Sequence, residues 1–156
     1  MNRLKKILKW ILWTLLTIIS LSIIIFFWYC NSLDKVNPLT VVYYGELKTE
    51  LIRQRHKDKL LVISSKRANW HNQILTLFGA SSKSRHLSGD AIDIMVLDVN
   101  GDREIDSKDV DIVYKILDNK IIKNKGGLGT YKSEIGIWNR QMVHLDCRQK
   151  KTRWHR

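Results

Sequence analysis

Ser84-Arg85-His86-Leu87-Ser88-Gly89-Asp90-Ala91-Ile92-Asp93 sets an imidazole and a carboxylate seven positions apart across a turn. A second imidazole lies far downstream, in Val143-His144-Leu145-Asp146. Two histidines and one aspartate suit an open zinc site, because three protein ligands leave a fourth position free. Gly89 permits a tight backbone between the first two, Ala91 is small beside them, and the Ser84 hydroxyl can hold the loop. Asp90 to Val99 alternates as a strand does, which puts Ala91 and Asp93 on one face. The same parity turns His144 and Asp146 to one side of a later strand, where one can bind metal and the other handle a proton.

Around this stretch the periodicities predict an α+β domain. Val41 to Arg55 has helical spacing, with Leu47, Leu51 and Tyr44 inward, and Leu60 to Ser64 reads as a buried strand. Asn69 to Phe78 places Ile74, Leu75, Leu77 and Phe78 on one helical face and stops at Gly79. Val110, Val113, Ile116 and Leu117 again have helix spacing, and two further strands are expected around Leu128 to Tyr131 and Met142 to Arg148. The expected fold is a small mixed or antiparallel sheet with flanking helices.

One long apolar run precedes this domain. Trp10 to Tyr29 has no charge and is long enough, at about 1.5 Å per residue, to cross a hydrocarbon core of about 30 Å. Trp10, Trp13, Trp28 and Tyr29 flank it as an interfacial belt, and Arg3, Lys5, Lys6 and Lys9 precede it, so the N-terminus is expected in the cytoplasm and the domain outside. An uncleaved anchor is preferred to a cleaved signal peptide, since the run is long and ends in Phe26-Phe27-Trp28-Tyr29 rather than in small residues. The expected organisation is a basic segment 1–9, a transmembrane anchor 10–30 held in the lipid bilayer, a tether 31–40 and a domain 41–148, followed by a basic tail 149–156.

The chain of 156 residues carries a formal net charge of +12, compatible with nucleic acid, an anionic membrane or an acidic wall polymer. A domain outside the membrane meets no nucleic acid, and no obligate protein partner is implied. Cys30 and Cys147 have no paired spacing, and no disulfide is expected. His56, His71 and His155 lack the context of the other histidines and read as surface residues.

Ser-x-His-x-x-Gly-x-Ala-x-Asp followed by a late His-x-Asp resembles the M15 family of zinc D-Ala-D-Ala peptidases, of the Hedgehog/DD-peptidase fold. The resemblance runs from about Leu60 to Arg148 and takes in Gly126-Gly127-Leu128-Gly129-Thr130-Tyr131, similar to a glycine-rich strand of that family. It implies zinc ligands at His86, Asp93 and His144, and a substrate-binding or catalytic arginine at Arg67, in Ser64-Ser65-Lys66-Arg67. Ser84 would lie on the substrate side. Several branches carry an acid three residues before the last histidine, where this chain has Gln141. Asp146 then either accepts the proton or orients His144.

Asp98-Val99-Asn100-Gly101-Asp102-Arg103-Glu104-Ile105-Asp106-Ser107-Lys108-Asp109 is a second motif, resembling an EF-hand or dockerin calcium loop. It implies a calcium site from Asp98, Asn100, Asp102, Glu104, Asp106 and Asp109, with Arg103 where a glycine usually makes the turn. Together the resemblances imply a membrane-anchored zinc peptidase that hydrolyses amide bonds in peptidoglycan stem peptides, as carboxypeptidase or endopeptidase. The alternative is a non-catalytic, calcium-stabilised wall-binding module with a silent metal site.

Overall fold

The computed structural model describes residues 2–31, 33–77, 79–133 and 140–156. The chain divides into an N-terminal unit that ends at Cys30 and a second unit from Asn31 to Arg156.

Helix α1, Asn2–Asn31, accounts for the first unit. Its stretch Lys5–Phe26, 22 residues, is long and apolar enough to cross a membrane and begins earlier than the apolar run read from sequence. Thr14, Thr17, Ser20 and Ser22 turn their hydroxyls back onto carbonyls of the preceding turn, so these four hydroxyls are satisfied within the helix.

In the second unit the elements are α2 (Pro38–Arg53), β1 (Leu60–Ser64), α3 (Asn69–Thr76), α4 (Arg85–Ser88), β2 (Ala91–Val96), α5 (Ser107–Ile116), a π-helical continuation Leu117–Ile122, β3 (Gly127–Ser133), β4 (Arg140–Asp146) and β5 (Thr152–His155). The strands form one mixed sheet in the order β1-β2-β4-β3-β5. All neighbours are antiparallel except β3 and β5, which run parallel.

Alternation gives the sheet two unlike faces. Ile92, Ile94, Val96, Leu128, Val143 and Leu145 are buried on one, in a core shared with Leu47 and Leu51 of α2 and Val110, Val113 and Ile116 of α5. Truncating a fully buried leucine such as Leu47 to alanine there costs about 2–5 kcal/mol. The other face carries a row across all five strands, Ser64, Asp93, His144, Gly129 and Trp154.

Four expectations change. Leu60–Ser64 is an edge strand with Leu61 exposed rather than a buried one. Ile74 and Leu77 of the α3 segment face outward, because little packs over this short helix; Phe78 lies outside the described residues. Pro38, placed in a tether by its composition, instead opens α2 behind the Asn37 cap, and Val36 and Thr40 are buried. The basic tail is not free: Thr152–His155 is β5, and Arg153 ties it to Asp118 and to the carbonyls of Gly126 and Lys123.

Candidate metal centre

His86 sits in α4, a single turn whose ends are both chemically specified. Ser84 caps it by accepting from the His86 N–H at 3.3 Å, and Gly89 closes it in the left-handed region at φ 80°. A side chain at Gly89 would also collide with the Lys35 carbonyl, 2.6 Å from its Cβ. The linker is docked here as well: the Asn37 N–H donates to the Gly89 carbonyl at 2.8 Å, and Thr40 Oγ1 donates to that of Asp90 at 2.8 Å. The turn between His86 and Asp93 is therefore held from outside by the residues that enter α2.

Asp93 and His144 are register partners on β2 and β4, and α4 delivers His86 above them. His86 Nε2 lies 3.3 Å from His144 Nδ1 and 3.2 Å from Asp93 Oδ1, while His144 Nδ1 lies 2.7 Å from Asp93 Oδ1. A four-coordinate zinc with bonds of about 2.0–2.1 Å needs ligand atoms about 3.3 Å apart, so two of these edges already have the required length. Among the described residues this is the one group of three or more His, Cys, Asp or Glu whose ligand atoms lie within 4.8 Å of one another. All three are buried, and the group can hold a metal ion.

The ring nitrogens that face away from the cluster are engaged too. His86 Nδ1 lies 2.7 Å from the Ser65 carbonyl, which accepts only if that nitrogen carries the proton, leaving Nε2 as the lone-pair donor. His144 is turned the other way: Nδ1 faces Asp93 and Nε2 lies 3.4 Å from Asp146 Oδ2.

Charge in the cluster is balanced by proximity. Burial opposes the Asp93 carboxylate, but His86 and His144 outweigh it and hold its pKa well below the usual range. Burial also opposes a charged His144; hydrogen bonds to Asp146 and Asp93 nonetheless push its pKa up to about 9. Asp146 is again penalised by burial, yet His144 and Arg148 keep it ionised far below its ordinary value. Without metal, a protonated His144 between two carboxylates supplies the positive charge.

No protein-family model, curated protein or solved structure matches this chain.

The remaining expected residues fall into place unevenly. Arg67 is next to the cluster, where its guanidinium donates to Asp93 Oδ2 at 2.7 Å and to Ser64 Oγ at 2.9 Å. Ser84 is occupied as a cap. Gln141 is buried and shares the strand parity of Val143 and Leu145, so it lies on the core face, away from His144. Asp146 has no exposed surface and stands behind His144, on the ring nitrogen turned away from Asp93.

The acidic loop is held by two lysines and by its own backbone. Asp98 Oδ2 is 2.9 Å from Lys59 Nζ and 3.3 Å from Lys57 Nζ, so two ammonium groups already balance it. Asp106 and Asp109 form the capping box of α5, and Asp109 Oδ1 also accepts from the Val99 and Asn100 N–H groups. Asn100 and Asp102 accept from the backbone N–H two residues on, and Glu104 is exposed. Asp98, Asn100, Asp102, Asp106 and Asp109 each accept from backbone N–H groups of the loop. Arg103 does take the left-handed turn, at φ 75°, that a glycine usually makes at this position.

The sequence places Arg148 at the end of a strand and Trp154 in the basic tail and gives neither a place at the cluster, yet Arg148 donates to Asp146 and the Trp154 ring packs on His144. It also set aside His71, which is half-buried; burial first, then the charges of Arg67 and His86, lower its pKa. For Trp154 one signal was available: Gly129, in the glycine-rich strand, leaves a gap that some large side chain must fill.

Proposed function

We propose that this chain is a membrane-anchored zinc hydrolase acting on amide bonds of peptidoglycan stem peptides. The observation that carries the reading is the convergence of His86 Nε2, Asp93 Oδ1 and His144 Nδ1, with the outer ring nitrogens held by the Ser65 carbonyl and Asp146. The substrate class rests on the resemblance of the motif order, and α1, apolar enough to span a membrane, supports a place at the cell envelope.

In this reading His86, Asp93 and His144 hold the ion, which supplies Lewis acidity to polarise an amide carbonyl and to lower the pKa of water. Ser65 and Asp146 keep the imidazoles in the required tautomers. Arg67 neutralises the outer oxygen of Asp93, and a guanidinium with five N–H donors can take a substrate carboxylate beside it.

A second reading, a wall-binding module with a silent metal site, is favoured by one observation. Asp146 is enclosed and Gln141 faces the core, so neither position offers an open proton acceptor. Two measurements on the full chain in detergent separate the readings. The hydrolase should contain about one zinc per chain, lost in His86→Ala, and should shorten muropeptides by a mass that identifies the bond. A zinc-loaded chain that leaves every muropeptide mass unchanged would point to the binding module.

A further inference from the structure

We infer that the C-terminal segment is part of the metal centre, with Arg148 and Trp154 as positioning residues that fix the His144 ring. This rests on the metal-site reading above but concerns residues outside the ligand set.

The geometry begins with Asp146. Its Oδ1 accepts from the Gly127 N–H at 3.0 Å, the Arg148 N–H at 3.0 Å and Arg148 Nε at 2.8 Å, and its Oδ2 accepts from Arg148 Nη2 at 2.5 Å. A carboxylate has about four acceptor directions, so little is left for any further donor except His144 Nε2 at 3.4 Å. Because this carboxylate is only an acceptor, His144 has to present Nε2–H to it, which leaves Nδ1 toward Asp93 and His86. The arginine fork thus sets the angle of the carboxylate, and the carboxylate sets the ring.

The His144 ring also meets β5. Trp154 packs on His144 with ring centroids 5.1 Å apart and planes at 49°, and Arg148 lies over the indole, 5.9 Å from its centroid. Trp154 Nε1 donates to the Tyr131 hydroxyl at 3.3 Å, which fixes the indole in turn. Two glycines make the arrangement possible. A Cβ on Gly129 would lie 2.1 Å from the Trp154 ring, and one on Gly127 would lie 2.1 Å from Asp146 Oδ2. Arg148 therefore reaches both groups that contact His144, one by hydrogen bonds and one by lying over its ring.

The test uses the full chain in detergent micelles, with zinc affinity read by chelator competition and the ligand field by the visible spectrum of the cobalt-substituted protein. Arg148→Gln should weaken zinc about 10- to 100-fold and shift the cobalt bands. Trp154→Ala should weaken it too, Trp154→Phe should restore most of the loss, and Lys150→Gln, a change of the same charge on the exposed tail, should bind as wild type. Circular dichroism establishes that each variant is folded; if Arg148→Gln is not, Arg148→Lys and the Trp154 pair carry the test. Wild-type affinity and an unshifted spectrum in folded Arg148 and Trp154→Ala variants would overturn the inference. Equal zinc binding by wild type and His86→Ala would instead sink the metal reading. The inference is then decided by nitrogen-edited NMR of the metal-free chain: a protected His144 Nε2–H signal lost in Arg148→Gln supports positioning, and one equally protected in both overturns it.

Discussion

Arg67 and Asp93 share a 2.7 Å ion pair on the one carboxylate oxygen that the histidines do not use. Oδ1 of Asp93 faces His86 and His144, so Arg67 sets the orientation of the whole carboxylate through Oδ2. Arg67→Ala should therefore lower zinc affinity by about tenfold or more in addition to any rise in KM. An arginine that served substrate alone would raise KM and leave chelator competition unchanged, so the two measurements together decide its role.

Because the His144 pKa is raised from 6.5 to about 9, the metal-free protein should lose stability with rising pH. The sign follows from linkage. A group whose pKa is higher in the folded state contributes fully below its unfolded value and loses that contribution as pH rises through the folded one. The urea midpoint of the metal-free second unit should fall between about pH 6.5 and pH 9 and should vary less in His144→Gln. Zinc has to displace the same proton, so its affinity should rise over that window. A flat urea midpoint across the range would show that His144 is neutral in the cluster.

Gly89 combines a left-handed backbone with a 2.6 Å approach of its missing Cβ to the Lys35 carbonyl. Gly89→Ala should destabilise the second unit by more than the roughly 1–2 kcal/mol of the backbone conformation alone. Asn37→Ala, which removes the α2 cap, should cost about 1 kcal/mol. Both should also weaken zinc binding, since the linker holds the turn that carries His86. Chemical denaturation and zinc competition on the same samples check the coupling.

In the acidic loop, Lys57 and Lys59 hold Asp98 well below its ordinary pKa through their hydrogen bonds. Millimolar calcium should accordingly leave the melting temperature of the wild-type chain unchanged. Replacing both lysines with glutamine should create a calcium-dependent rise in that temperature, because Asp98 would then lack a compensating cation. A clear calcium shift in the wild type would show that the ion displaces the ammonium groups.

Local chemistry was enough for much of the site. The turn at Gly89, the shared face of Ala91 and Asp93, the parity of His144 with Asp146 and the buried stripe Val110, Val113, Ile116 and Leu117 all depend on near neighbours and on the fixed periods of strand and helix. So does the apolar run in α1. These properties travel with the sequence because each is set within one or two turns of chain.

What only the tertiary structure decided is which groups meet. Arg67 pairs with Asp93 across 26 positions, Lys59 with Asp98 across 39, and the basic tail becomes a strand because the free edge of β3 offers it unpaired backbone groups and Gly129 leaves room for Trp154. A cation in a sequence has no partner until the chain returns to supply one. His86, Asp93 and His144 can be chosen as candidate ligands from their spacing and side-chain chemistry, but their neighbours are assigned by distance in space, and that assignment sets Asp146 beside His144 and under Arg148.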